Sequence, residues 1–98
     1  MFYTYVLYSE KDHGLYIGYS SDIGRRFKQH VDGATISTAH RRPLMLAYYE
    51  AYACKEDAET RELFLKSGSG RTYLKKQMRT FFSRHPLRTA NTVCQEKE

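Results

Sequence analysis

Residues 15–30, LYIGYSSDIGRRFKQH, contain the change from strand to helix on which the predicted fold depends. The segment opens with apolar and aromatic residues over Leu15–Tyr19, which are typical of a β-strand. Serines and an aspartate follow at positions 20–22, and these residue types favour the first position of a helix. The helix itself is predicted from apolar residues that recur every fourth position along one face: Ile23, Phe27 and Val31. A strand followed by an amphipathic helix is therefore the centre of the predicted fold.

The rest of the chain adds two strands and two helices. Residues 2–8, FYTYVLY, are aromatic and β-branched, and the hairpin-length loop at 9–14 should pair this central strand antiparallel with the strand that follows. The same kinds of pattern predict a strand and two helices at Leu44–Ala53, Lys55–Lys66 and Arg71–Phe82. Residues 34–43 are predicted to be a loop, and the SGSG segment at 67–70 a turn. The order β-β-α-β-α-α indicates an α/β (α+β) sandwich of one three-stranded sheet and three helices.

These elements are predicted to form one small domain over residues 1–82. A chain of 98 residues buries a modest core, which suits a single sheet with a few helices. The hydrophobic pattern ends at Ser83, so residues 83–98 are predicted to be a polar, flexible tail. A monomer is the favoured oligomeric state.

The charge balance favours a polyanionic partner. Sixteen Lys and Arg residues against eleven Asp and Glu give a formal net charge of +5, which favours nucleic acid first and an anionic membrane surface second. No apolar run approaches the roughly 20 residues of a membrane span, and no secretory signal is recognised. Cys54 and Cys94 lie far apart, which suits a reducing cytoplasm or one dispensable disulfide.

Three polar residues of the first predicted helix form a row. Asp22, Arg26 and His30 are spaced four apart, so the Arg26 and His30 side chains lie one above the other on one face. The row borders the apolar face, where the Arg26 guanidinium can donate two hydrogen bonds to phosphate oxygens. A solvated basic helix face is the alternative interpretation.

One carboxylate of the second predicted helix is unusually placed. Ala58 and Leu65 mark the apolar side of this helix, and Glu62 lies between them. A carboxylate at the margin of a packed face is costly unless it is paired or binds a cation. One carboxylate, completed by water and substrate phosphate, is a common way to hold Mg²⁺. The alternative is an ion pair with a nearby Arg or Lys.

Two tyrosines are candidates for acid–base chemistry. Tyr5 and Tyr16 lie on the two strands that should be neighbours. A tyrosine near a cation and an arginine ionises more readily, because both charges favour the phenolate, and it can then act as a general base. Packing with one hydrogen bond is the alternative for a buried tyrosine.

Further basic residues extend this candidate nucleic-acid surface. Arg25 directly precedes Arg26, and Arg41 and Arg42 lie in the predicted loop before the third strand. These arginines are candidates to contact the phosphate backbone, with ordinary surface charge as the alternative.

The residues together resemble the GIY-YIG nuclease domain, a family named for two short strand motifs. Residues 16–18, YIG, reproduce the second motif letter for letter, and residues 3–5, YTY, retain the final tyrosine of the first. Arg26 lies ten residues after Tyr16, like the catalytic arginine of the family, and His30 matches a histidine of some members. Glu62 resembles the metal-binding glutamate of the family. The resemblance covers about residues 2–80.

The resemblance implies a three-stranded antiparallel sheet flanked by about three helices, in agreement with the order read from the sequence. It implies an enzyme, a Mg²⁺- or Mn²⁺-dependent endonuclease that hydrolyses DNA phosphodiester bonds. Some family members act in DNA repair, so a structure-selective enzyme linked to repair or recombination is expected. DNA is the expected substrate, with RNA as an alternative.

The roles that the resemblance implies can be assigned residue by residue. Glu62 would be the only protein ligand of the metal, and Arg26 would stabilise charge on the phosphate. Tyr5 or Tyr16 would activate the attacking water. His30 would assist by hydrogen bonding or proton transfer.

Two neighbouring residues complete the expected site. Gly18 would let the substrate backbone approach closely, and Tyr19 stands where some family members have a lysine. Tyr19 is therefore a candidate substrate contact. The rival functions are a non-catalytic nucleic-acid-binding module on the same fold and a protein-interaction domain whose basic surface is incidental.

Overall fold

Three strands and five helices make up residues 1–88, the part of the chain that this computed structural model describes. The strands are β1 (Phe2–Ser9), β2 (Leu15–Ser20) and β3 (Leu44–Tyr52). The helices are α1 (Ile23–Val31), α2 (Ile36–Ala39), α3 (Lys55–Lys66), α4 (Gly68–Gln77) and α5 (Arg79–Arg84). The predicted fold class and the order of strands and main helices are confirmed.

The central strand β1 pairs antiparallel with both neighbours, which gives the sheet order β2-β1-β3. Side chains alternate between the two faces of the sheet. Tyr5, Leu7 and Tyr16 form one buried cluster, which includes Phe27 of α1. The opposite face carries a second cluster, in which β1 and β2 side chains pack against α3, α4 and α5. The sheet therefore separates α1 from the other long helices.

The structure corrects the predicted loop at 34–43 and the predicted third helix. The four-residue helix α2 lies within the predicted loop, and four residues are too few to display a hydrophobic period. The predicted helix Arg71–Phe82 is two helices, because the backbone at Met78 leaves the helical region (φ −113°, ψ 36°). The break lets Met78 and Phe81 join the same core cluster.

The glycine-rich segment before α4 is helical, where the sequence predicted a turn. Ser67 caps the helix, since its hydroxyl oxygen accepts a 3.1 Å hydrogen bond from the Gly70 N–H. A Cβ atom at Gly70 would lie only 2.0 Å from the Phe64 carbonyl oxygen. Gly70 therefore permits α4 to lie directly against α3.

Part of the segment predicted as a flexible tail contacts the sheet. α5 continues through Arg84, beyond the predicted domain end at residue 82. Tyr8 then donates a 2.8 Å hydrogen bond to the Pro86 carbonyl, and the Arg88 N–H donates to His13 at 3.1 Å. The remainder of the predicted tail, residues 89–98, lies outside the described residues. Within residues 1–88, no helix has the length and apolar character needed to cross a bilayer.

Gly70→Ala is expected to lower the free energy of unfolding by about 2 kcal/mol, because a methyl group there overlaps the backbone of α3. Urea denaturation of the purified protein measures this loss. Gly68→Ala is the matched control, since a Cβ there would lie 4.0 Å from its nearest neighbour. Equal stability of the two variants would contradict the close approach of the helices.

Candidate active site

The ring of Tyr5 lies across Gly18 of the neighbouring strand. The two residues are cross-strand partners, and a Cβ atom at Gly18 would lie 2.5 Å from Tyr5 Oη. Only glycine leaves room for this ring without displacement. The expectation that Gly18 opens space for the substrate backbone therefore needs correction, because the Tyr5 ring fills that space.

A buried hydrogen-bonded chain links Tyr5 to two helices. Tyr5 Oη lies 2.9 Å from His30 Nε2, at the C-terminal end of α1. His30 Nδ1 lies 2.7 Å from Thr38 Oγ1 in α2. The side chains of His30 and Thr38 are fully buried, and Tyr5 is nearly so. Thr38 was not identified from the sequence, because it lies within the segment predicted as a loop.

His30 is neutral at physiological pH. Burial lowers its pKa from the usual 6.5 to about 4, and the nearby Arg26 cation acts in the same direction. One ring nitrogen of His30 therefore carries a proton and the other is a hydrogen-bond acceptor.

Tyr16 lies beside this chain. Its ring centroid is 5.2 Å from that of His30 and 6.4 Å from that of Tyr5. The Tyr16 hydroxyl is buried and has no hydrogen-bond partner within residues 1–88. Most buried polar atoms in folded proteins have a hydrogen-bond partner, so the Tyr16 hydroxyl can still accept or donate a hydrogen bond to a water molecule or a ligand. The structure thus brings together Tyr5, Tyr16 and His30.

An open cleft of about 390 Å³ lies at the start of α1. Its lining residues are Tyr19, Ser20, Ser21, Asp22, Arg25, Arg26 and Gln29. Arg26 is half-buried and donates a 3.1 Å hydrogen bond to the Gln29 side chain, whereas Arg25 is exposed and lies 3.6 Å from the Asp22 carboxylate. Two arginines therefore line an open cleft that is large enough to admit a phosphate group.

An ion pair joins α3 to β3. Arg61 donates two hydrogen bonds to the Glu50 carboxylate, at 2.8 and 3.2 Å. Its guanidinium also lies over the Phe64 and Tyr73 rings, with distances of 4.8 and 4.6 Å to their centroids. Successive helical residues differ by about 100° around the axis, so Glu62 lies on a different side of α3 from Arg61.

Glu62 lies outside the buried tyrosine–histidine cluster, on the layer that covers the opposite face of the sheet. Its side chain is 18% exposed and pairs with Lys66 at 3.0 Å, as the ion-pair alternative predicted. Tyr19 of β2 is the cross-strand partner of Thr4, whose hydroxyl donates to the Ala58 carbonyl of α3. The residues that line the cleft belong to β2, to α1 and to the segment between them, and Glu62 is not among them.

A metal at Glu62 would depend on ligands from outside the protein. Residues 1–88 contain no group of three His, Cys, Asp or Glu side chains that could hold an ion. A half-buried carboxylate fits Mg²⁺ or Mn²⁺ when water and substrate phosphate complete the coordination. The Lys66 ammonium occupies one Glu62 oxygen and would have to give way.

Two of the predicted substrate contacts have other partners. Arg41 is buried, and its Nε and Nη2 atoms lie 2.7 and 3.1 Å from the Asp12 carboxylate. This pair connects the segment before β3 to the β1–β2 loop, which favours a structural role for Arg41. Arg42 is exposed, and its Nε donates a 3.0 Å hydrogen bond to the Ala39 carbonyl at the end of α2. The structure places neither arginine in the lining of the cleft.

The family profile described as the GIY-YIG catalytic domain matches residues 1–77. The chain belongs to this family. The matched range contains both tyrosine motifs, Arg26 and Glu62, so the site described above coincides with the catalytic domain of a nuclease family.

Several curated relatives of this GIY-YIG domain carry the name UPF0213 protein, which states no activity. The relative from Clostridium perfringens is 36% identical over 67 residues, which cover 67% of this chain and 71% of the relative. The relative from Pediococcus acidilactici is 36% identical over 77 residues, with 76% and 78% covered. The relative from Streptococcus pneumoniae is 40% identical over 65 residues, with 65% of each chain covered. No solved structure matches this chain at a significant level.

Asp12→Asn is expected to lower the free energy of unfolding by about 2 kcal/mol or more at pH 7, because it leaves Arg41 buried without its anion. Burial raises the pKa of Asp12, but hydrogen bonds from Arg41 and Gly14 outweigh it and lower the pKa to about 2. The carboxylate therefore stabilises the fold above its unfolded pKa near 3.8, and this stabilisation is lost as the pH falls through 2. Urea denaturation between pH 7 and 2 should show the free energies of unfolding of wild type and Asp12→Asn converging as the pH falls. A difference that stays constant over this range would contradict the stabilising role of the Asp12 carboxylate.

Proposed function

We propose that this protein is a divalent-metal-dependent endonuclease that hydrolyses DNA phosphodiester bonds. The observation that carries the proposal is the buried Tyr5–His30 hydrogen bond, with the unpartnered Tyr16 hydroxyl beside it and Arg26 in the adjoining cleft. Packing alone requires neither the buried histidine nor the unpartnered hydroxyl. The net charge of +5 favours a nucleic-acid substrate, and RNA is the alternative to DNA.

Arg26 and Arg25 bind the phosphate in this mechanism. Both guanidinium groups line the cleft, and Arg26 is the more buried of the two. A half-buried guanidinium loses less of its interaction energy to solvent than an exposed one, so Arg26 stabilises the charge that develops on the phosphoryl oxygens. A divalent cation at Glu62 would supply further charge neutralisation on the phosphate and on the leaving 3′-oxygen.

Tyr5 is the proposed general base. Its oxygen already has a polar partner, His30 Nε2, whereas the Tyr16 oxygen has none within the described residues, and an isolated buried phenolate is costly. Ionised Tyr5 removes a proton from water, and the resulting hydroxide attacks phosphorus as the bond to the 3′-oxygen breaks. The 3′-oxygen then takes a proton from solvent. Tyr16 binds the water or a phosphate oxygen through its unpartnered hydroxyl.

The arginines of the cleft favour recognition of the DNA backbone and its shape over recognition of base sequence. Phosphate contacts orient a protein on DNA but carry no sequence information, and the cleft offers two arginines for that purpose. We therefore propose a structure-selective monomeric enzyme that acts in repair or recombination. Cys54 is an exposed free thiol, in keeping with action in the reducing cytoplasm.

A non-catalytic nucleic-acid-binding module is the second candidate function. The observation in its favour is the 3.0 Å ion pair between Lys66 and Glu62, which competes with a metal for the carboxylate. A protein that only binds phosphates needs the arginines of the cleft, and its Glu62 can remain paired with Lys66 because no metal has to be bound.

Glu62→Gln is expected to reduce cleavage by about 100-fold or more, because it removes the charge that holds the metal while keeping the shape of the side chain. The assay follows nicking of supercoiled plasmid and cutting of branched oligonucleotides with Mg²⁺, Mn²⁺ or EDTA. The free energy of unfolding of Glu62→Gln should differ from that of wild type by less than about 1 kcal/mol, since only one partly exposed ion pair is lost.

Glu59→Gln, on the exposed side of the same helix, is the matched control and should cleave normally. Equal activity of wild type and Glu62→Gln would overturn the role of Glu62. A folded wild type that binds DNA with a steep salt dependence, yet cuts no substrate with any metal, would establish the second candidate.

A further inference from the structure

Thr38 is the one fully buried side chain of α2, a helix that otherwise lies at the surface. Its hydroxyl lies 2.7 Å from His30 Nδ1, and the other ring nitrogen of His30 lies 2.9 Å from Tyr5 Oη. We propose that Thr38 donates to His30 Nδ1 and thereby fixes the imidazole as the tautomer protonated at Nε2, which donates to the oxygen of Tyr5. Thr38 is then a positioning residue that acts on Tyr5 through His30.

The direction of the Thr38 hydrogen bond follows from the acceptors available to its proton. A threonine hydroxyl in a helix otherwise donates to a carbonyl three or four residues earlier. The carbonyl of Thr35 already accepts the N–H groups of Thr38 and Ala39, at 3.2 and 2.9 Å. If His30 Nδ1 carried the proton, the Thr38 hydroxyl would accept it and its own proton would be buried without an acceptor among its described contacts. In the tautomer protonated at Nε2, the Thr38 hydroxyl donates and the oxygen of Tyr5 accepts, which is the arrangement that an ionised Tyr5 requires.

The choice of tautomer matters because His30 is neutral. Burial, together with the nearby Arg26, lowers the pKa of His30 to about 4, so the ring carries a single proton above that pH. A proton on Nε2 lets His30 donate to Tyr5, and a hydrogen bond donated to an oxygen favours its ionised form. A proton on Nδ1 would instead make Tyr5 the donor and oppose its ionisation.

The groups around the Tyr5–His30 pair are consistent with a hydrogen bond that His30 donates to Tyr5. α1 contributes His30 and the Arg26 cation, β2 contributes Tyr16, and β3 contributes Tyr49, the cross-strand partner of Tyr5. Arg26 is the only one of these that carries a charge at neutral pH. The positive charge of Arg26 near His30 disfavours a second cation there, and the neutral His30 directs its hydrogen bond at the oxygen of Tyr5.

Long-range ¹H–¹⁵N NMR spectra of the histidine rings test the tautomer directly. His30 is assigned among the four histidines by the signal that His30→Gln removes. Wild type and Thr38→Ser should carry the proton on Nε2, and Thr38→Val should lose this preference. A wild-type ring protonated at Nδ1 overturns the proposal, as does a Thr38→Val ring that retains the Nε2 proton. Thermal unfolding establishes that each variant is folded, and Thr38→Ser provides the test if Thr38→Val is not.

Two pH titrations test the consequence for Tyr5. The difference in tyrosinate absorbance between wild type and Tyr5→Phe isolates the ionisation of Tyr5. The midpoint of this titration should rise by about 1 pH unit in Thr38→Val and return to the wild-type value in Thr38→Ser. The alkaline-rising limb of the kcat profile for DNA cleavage should move by the same amount. A structural role alone would lower activity without moving either curve, and this result would overturn the proposal.

The catalytic meaning of this hydrogen bond rests on the proposed function, but its direction does not. Absence of cleavage by wild type, with the Nε2 tautomer and the shifted Tyr5 titration observed, would refute the nuclease proposal and leave the role of Thr38 standing. If wild type cleaves DNA but the alkaline-rising limb of the kcat profile is not shifted in Thr38→Val, the nuclease proposal stands and the role of Thr38 is refuted.

Discussion

The packing of the Tyr5 ring over Gly18 is the contact on which the rest of the site depends. Because residue 18 has no side chain, the ring lies across β2 and its hydroxyl reaches His30 on α1. His30 in turn contacts Thr38, so α2 is held against α1 by the same chain of hydrogen bonds. A single glycine thus determines where an aromatic ring, a buried imidazole and a short helix meet.

The site draws its chemistry from both layers of the sandwich. The tyrosines, His30 and Arg26 belong to the α1 layer, whereas Glu62 belongs to the layer on the opposite face of the sheet. β2 is an edge strand, so the two layers can approach each other along its free side. The Arg61–Glu50 pair joins α3 to β3. Glu62, on the same helix, pairs with Lys66 and is half-buried, so no carboxylate of α3 enters the core.

Much of the fold could be predicted from the sequence, because its elements are long enough to display their periods. The strands at the start of the chain, α1 and α3 are found near their predicted positions. The four residues of α2 contain no full period, so the environment of Thr38 could not be predicted. Arg41 has the composition of a surface residue, and its burial follows from the distant partner Asp12. Gly70 looked like part of a turn until its contact with α3 was known.

The sequence by itself determined the family, the sheet and the residue types at the site, because the YIG motif, Arg26 and Glu62 lie at characteristic separations along the chain. Tertiary structure alone decided which of them touch. Local spacing relates residues on one helix or strand, but the Tyr5–His30 and His30–Thr38 contacts join separate elements, and an ion pair joins α3 to β3. Such contacts follow from the packing of whole elements, since the position of each helix on the sheet sets which of its side chains meet.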